Sequence, residues 1–254
     1  MIESSEAKFF DSKRQAIFLV FFVSLCLIEM LISAYGLVIT DYIIRPWVLI
    51  SLIIDFYSQT KQIKNAFTYG IVLALFMSLV GDSFLMIRTS DEMYFILGLA
   101  GFAFAHVFYS IAYISNIKSS RVQMSIQKRV LIIIPIVIYL LVLYTIMQKN
   151  LGDLKVPVTI YAILITMMGS TCALRLNCTE MRSYYVTLVG SVLFIFSDSL
   201  IGLNKFGGVK GKWVGPTIMV TYYSAQYLIS RGAIFHIKYL QSRKQAGLVQ
   251  SQDP

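Results

Sequence analysis

Eight apolar runs, at 16–39, 43–58, 66–87, 93–115, 129–148, 154–175, 184–203 and 213–237, take up most of the 254-residue chain. A helix that crosses a bilayer needs about 20 such residues. Hydrocarbon offers no hydrogen bonds, so a chain can span it only in a form that satisfies its own backbone. The runs therefore predict an all-α fold, a polytopic membrane helical bundle of about eight transmembrane helices. The second run is the shortest and opens at Arg45-Pro46, which predicts a tilted helix that begins there. Proline costs little in a first turn, because its missing N–H would be unpaired there anyway. The composition agrees: 57% of residues are hydrophobic and 14% charged, against about 45–50% and about 25% in a soluble domain. Disorder, a secreted disulfide scaffold and an ordinary cytosolic enzyme are excluded. The odd set of three cysteines (Cys26, Cys172, Cys178) argues further against a disulfide framework.

The net charge of +9 would suit a nucleic-acid partner, but the bases sit in the short segments between runs. There they act as topology determinants, and no nucleic-acid partner is expected. Fifteen of the 22 Lys and Arg fall on one side, among them Lys8, Lys13, Arg14, Lys61, Arg121, Arg175 and Arg231. The other side holds Arg45, Arg88, Lys149, Lys155, Lys205, Lys210 and Lys212. The positive-inside rule then predicts both termini in the cytosol, which needs an even number of spans, and eight agrees. The expected layout is a cytosolic tail over 1–15, a single transmembrane domain over 16–239 and a second cytosolic tail over 240–254. The first run is too long, and lacks the small-residue cleavage site, for a cleavable signal peptide.

Ionisable side chains at bilayer depth are costly and therefore functional candidates by default. Glu29, Asp55, Asp82, Asp198 and His106 qualify. Asp82 follows Gly81 in SLVGDSFLMI (78–87); its bland reading is an interfacial aspartate at a helix end. Asp198 lies deeper, between apolar residues in GSVLFIFSDSLIGLNKF (190–206). Phe102, His106, Tyr109 and Tyr113 fall at i, i+4, i+7 and i+11 on one helix face. His106 is thus either part of an inward polar stripe or a hydrogen-bonded core histidine. Tyr223, Gln226 and Ser230 form a second stripe, for which inter-helix hydrogen bonding is the plain alternative. Tyr161 and Met168 line a pocket or pack. Glu29 must find a partner or stay protonated, and Asp55 lies near water and Lys61; both are read as structural. No GxSxG elbow occurs, GGVKGKW (207–213) fails as a phosphate loop, and two histidines cannot build a three-histidine zinc site. No metal and no cofactor are expected.

These residues come in an order that resembles the lysoplasmalogenase (YhhN-like) family of multi-spanning membrane hydrolases. The parts are Arg45-Pro46, SLVGD (78–82), GLAGFAFAHVFY (98–109), Tyr161 to Met168, GSVLFIFSDSL (190–200) and YYSAQYLISRG (222–232). They cover roughly residues 45–232. Arg45 departs from the family, which usually has Lys a little before the Pro, and the two cations are not interchangeable. The resemblance implies hydrolysis of the vinyl ether bond of lysoplasmalogens to a fatty aldehyde and glycerophosphocholine or glycerophosphoethanolamine. It implies Asp82 and Asp198 as the catalytic acids, with His106 and Tyr109 beside them. It also implies the endoplasmic reticulum membrane in a eukaryote, or the cytoplasmic membrane in a bacterium.

The chemistry suits two carboxyl groups. One protonates the vinyl ether and the other stabilises the oxocarbenium ion and orients water, as in glycoside hydrolysis. The drier flanks of Asp198 favour it as the acid. Tyr223, Gln226 and Ser197 are expected to orient the carboxyls beside His106 and Tyr109. Phe102, Phe194, Tyr161 and Met168 are expected to hold the chain, and Arg45 the phosphate. The expected partners are a lysophospholipid substrate and membrane lipid, with a homodimer allowed. The competing readings are a proton-coupled small-molecule or lipid transporter using the same acids and a non-catalytic lipid-binding scaffold.

Overall fold

The computed structural model describes every residue except 1, 36, 88–91, 121, 123, 246 and 248–254, and leaves the side chains of 2–12, 38–41 and 245 undescribed. Arg88, Arg121 and the Lys8 side chain thus lie outside the described residues. The described chain forms eight α-helices: α1 (Ile2–Ala34), α2 (Val38–Thr60), α3 (Ala66–Leu85), α4 (Glu92–Ser119), α5 (Ile126–Met147), α6 (Lys155–Ala173), α7 (Met181–Phe206) and α8 (Val214–Gln245). Two short 3₁₀ turns, Gln148–Asn150 and Gly152–Leu154, join α5 to α6.

Among the described residues, six helices, α1 and α3 to α7, are long and apolar enough to cross a membrane. The other two, α2 and α8, have the length, at 23 and 32 residues, but not the apolarity. Their polar side chains explain the shortfall, because they face inward. On α2, Arg45 Nε lies 2.9 Å from Glu29 Oε1 of α1, and Asp55 Oδ2 lies 3.1 Å from Arg231 Nη2 of α8. Gln226, Ser230 and Arg231 of α8 are buried, while Trp47, Ile54 and Tyr57 of α2 are exposed. A mean hydropathy counts paired interior charges as though they faced lipid.

Three details differ from expectation. The helix α2 starts at Val38, so Pro46 lies inside it rather than in its first turn. It removes one backbone hydrogen bond from the helix, which membrane helices tolerate where neighbours support the backbone. Asp55 pairs with Arg231, not with Lys61, which points to the surface. Arg175, sorted above among the loop cations, is fully buried just past α6. Its Nε donates to Asn116 Oδ1 at 2.7 Å, and its guanidinium lies 5.4 Å and 5.1 Å from the Phe67 and Tyr113 rings. Helix also continues into both terminal segments, from Ile2 and as far as Gln245.

The helices pack most intimately as two pairs, α3 with α4 and α7 with α8. Small residues allow the approach, as is usual between membrane helices. A Cβ at Gly101 would sit 2.6 Å from the Gly81 backbone, and one at Gly190 2.9 Å from the Ile229 nitrogen. The carboxyl-bearing helices α3 and α7 are therefore each pinned at backbone contact. The core, including Leu49, Phe56, Ile71, Tyr113 and Ile229, lies among α2 to α4 and α6 to α8. By contrast α5 is peripheral, with only Leu140 and Met147 buried.

Candidate active site

Three helices converge on one carboxylate oxygen. Tyr161 of α6 donates its phenolic hydrogen to Asp198 Oδ2 of α7. His106 Nε2 of α4 lies 3.3 Å from that oxygen and 3.0 Å from the Tyr161 hydroxyl. A neutral imidazole with its proton on Nε2 donates to this pair and keeps Nδ1 as an acceptor. That tautomer fits, because Nδ1 has no hydrogen-bond partner among the described residues. The His106 ring is held edge-on to Phe194 and Tyr161, with centroids 5.0 Å and 5.2 Å away. Phe194 in turn meets Phe102 and Tyr222, and the three rings stand nearly at right angles to one another with centroids 5.7–6.1 Å apart.

Asp82 reaches the same place from α3. It lines a cavity of about 410 Å³ together with Asp198, Arg45, Phe102, Ser197 and Tyr222. Both aspartates are thus in contact with one chamber, although 115 residues separate them in sequence and Asp82 is only 4% exposed. Asn204, Lys205 and Lys210 stand at the chamber's mouth. The Lys205 ammonium lies 4.2 Å from the Phe95 ring centre, and Lys210 donates to the Asn204 carbonyl. Both lysines are exposed. A second cavity of about 70 Å³ adjoins the chamber and shares Leu85, Phe95, Phe102, Asp198 and Ile201 with it. Its remaining wall is largely apolar, with Leu99, Leu143, Met147, Val158 and Ile165 from α4 to α6. The aspartates therefore sit where a polar mouth meets an apolar pouch.

The residues expected from sequence take different places around this centre. Asp82, Asp198, Arg45, Ser197 and Phe102 line the chamber, and Tyr161 lines the pouch. Ser197 Oγ also donates to the Ile218 carbonyl at 3.1 Å, which ties α7 to α8. Tyr109 donates to Gln226 Oε1 at 2.6 Å; both are fully buried and line neither cavity. Tyr223 is buried beside Tyr222, with ring centroids 5.5 Å apart. Met168 and Phe194 lie in the packed core and on neither cavity wall, and the pouch is walled largely by other residues of α4, α5 and α6. Spacing shows that such residues share a face but not whether that face meets a cavity or another helix.

Sequence reading missed Tyr222, Lys205, Lys210 and the contribution of α5. One signal was present: Lys205 is seven residues after Asp198, which puts the two on one helix face. Among the described residues no three His, Cys, Asp or Glu side chains converge.

The fold and site define a helical protein of the membrane-spanning type, with two carboxyl groups lining one chamber inside the bundle. The profile of the YhhN family matches residues 40–233, and the chain belongs to that family. It is 33% identical over 167 residues to lysoplasmalogenase TMEM86A of Homo sapiens, and 30% identical over 168 residues to lysoplasmalogenase TMEM86A of Bos taurus. Each likeness covers 65% of this chain, and the chain spans about 65% of the length of these curated relatives. No solved structure matches.

Proposed function

We propose that the protein is a membrane-embedded lysoplasmalogenase. It hydrolyses the vinyl ether bond of alkenyl-glycerophosphocholine or alkenyl-glycerophosphoethanolamine to a fatty aldehyde and the glycerophospho-alcohol. The observation that carries this reading is that Asp82 and Asp198 face one chamber, polar at its mouth and apolar beyond. The family and the names of its relatives point the same way.

The reaction needs a proton, an anion and water. A carboxylic acid gives its proton to the β-carbon of the vinyl ether, which leaves an oxocarbenium ion. Water adds to the α-carbon and yields a proton to the second carboxylate. The hemiacetal then collapses: its hydroxyl proton passes to the departing glycerol oxygen as the C–O bond breaks. One water is consumed, and the proton left on the second carboxyl returns to the first through water in the chamber, which restores both groups for the next turnover. The same logic operates at the oxocarbenium-like state of glycoside hydrolysis. The donors Tyr161 and His106 suit an ionised Asp198, so the acid role falls to Asp82. This reverses the assignment that dry sequence flanks favoured. Lys205, Lys210 and Arg45 would receive the phosphate, and the pouch the start of the chain.

All eight helices are read as crossing the membrane, including α2 and α8 with their charges paired inside. Both termini then lie in the cytosol, and the lysines of the mouth face the opposite side. In a eukaryotic cell the endoplasmic reticulum is the proposed location.

The test is aldehyde release by purified protein in detergent, where a gradient-driven carrier would produce nothing. Asp82→Asn and Asp198→Asn should each lower turnover by about 10²–10⁴-fold, the usual worth of positioned acid–base groups, with thermal stability retained. Full activity in both variants would overturn the reading.

A further inference from the structure

The pouch beside Asp198 is too small for the hydrocarbon chain of a lysolipid. A volume of about 70 Å³, against about 150 Å³ for a cavity that takes one benzene ring, leaves room for only a few carbon atoms. The remainder of a long chain must lie elsewhere. Leu140, Tyr144 and Ala162 line the pouch and also line a second apolar cleft of about 310 Å³ between α5 and α6. The two spaces are therefore back to back, with these three side chains between them. The cleft also includes Leu141 and Ile163, both exposed on the outer surface of the bundle, where lipid would lie.

The outer wall of this passage is lightly held. Most of the apolar surface of α5 is uncovered, including Leu131, Ile138, Leu141 and Val142. A hydrogen bond of 2.8 Å between the Tyr144 hydroxyl and Thr159 Oγ1 bridges α5 to α6 beside the cleft. Another, from Tyr139 to Ser199 Oγ at 3.0 Å, ties α5 to α7. Ala162 is the smallest of the three shared side chains, so the partition is thinnest there.

We propose that the α5–α6 cleft is a lateral opening through which the chain of a single-chain lipid reaches Asp198 from the bilayer. The far end of the chain stays in the cleft while the head group occupies the lysine-lined mouth. This rests on the hydrolase reading for the fate of the chain, but not for its path. A bulky side chain at position 163, which lines the cleft and not the pouch, closes the opening and leaves the pouch and the aqueous mouth untouched.

The experiment uses the full chain in lipid nanodiscs and compares wild type with Ile163→Trp, with Ile163→Val as the conservative control. Two readouts are taken: binding of a saturated-ether lysolipid with a 16-carbon chain, which has no vinyl ether to cleave, and kcat/KM on vinyl ether lysolipids of 16 and 6 carbons. For Ile163→Trp, long-chain binding and kcat/KM should each fall at least about tenfold, a change of about 1.4 kcal/mol. The six-carbon substrate, whose chain is too short to extend through the cleft and which enters from water, should stay within about twofold. Should Ile163→Trp fail to fold, Leu141→Trp on the α5 side of the cleft carries the same expectation. Equal losses at both chain lengths, or no loss at 16 carbons, would overturn the opening while leaving hydrolysis intact. Binding that depends on position 163 without any aldehyde release would instead sink the hydrolase reading and keep the opening.

Discussion

A methyl group at position 101 should disturb the site without touching any polar residue in it. A Cβ on Gly101 would lie 2.6 Å from the Gly81 Cα and 2.6 Å from its nitrogen. Unstrained carbon contacts fall at about 3.5–4.0 Å, so α3 and α4 would have to part by about 1 Å. No side chain can rotate away, because the obstructing atoms are backbone. Overpacking of this kind costs about 1–3 kcal/mol, and each kcal/mol lowers the midpoint of a domain this size by about 2–4 °C. The effect on catalysis should be larger than that on stability. Gly81 immediately precedes Asp82, and a displacement of about 1 Å at a reacting group can cost about 10²-fold. Gly101→Ala and Gly215→Ala would be purified side by side and measured for thermal midpoint and aldehyde release. Gly215 is the control, since nothing lies within 4 Å of a Cβ added there. Gly101→Ala with the midpoint and turnover of wild type would refute the claim that backbone contact between α3 and α4 sets the position of Asp82.

Two further outcomes are expected. Tyr161→Phe removes the hydrogen bond to Asp198; a bond to a charged acceptor is worth about 1.5–3 kcal/mol, so kcat/KM should fall roughly ten- to hundredfold with the protein still folded, measured by aldehyde release and thermal melting. Replacing both Lys205 and Lys210 by Gln should raise KM by up to about fivefold per charge, since an exposed ion contact is worth at most about 1 kcal/mol. In that variant kcat should hold, and the difference from wild type should shrink as salt is added.

The bundle was legible because hydrocarbon imposes a length and a composition on each crossing, and all eight runs coincide with helices. The two aspartates stood out for the same reason: acids are conspicuous in apolar surroundings. What lay beyond reach was direction around each helix. Glu29 and Asp55 stood out as acids within apolar runs, but their partners Arg45 and Arg231 could not be named until α1, α2 and α8 turned them toward each other. Arg175 looked like a loop cation, and only the convergence of α4, α6 and α7 encloses it. The pouch gave no signal at all, since an apolar residue that lines a cavity looks the same in sequence as one that faces lipid. Pro46 misplaced the start of α2 for a related reason: proline in water usually marks a helix end, whereas a membrane helix can carry it inside.

A chamber with a polar lip and an apolar back wall offers two exits of opposite character. If the proposed cleavage occurs there, the two fragments differ sharply in solubility, and each has its own way out. The glycerol phosphodiester drains to the aqueous phase past the lysines, while the aldehyde partitions into the leaflet. Two separate exits mean that neither product has to wait for the other to leave before the chamber is free again.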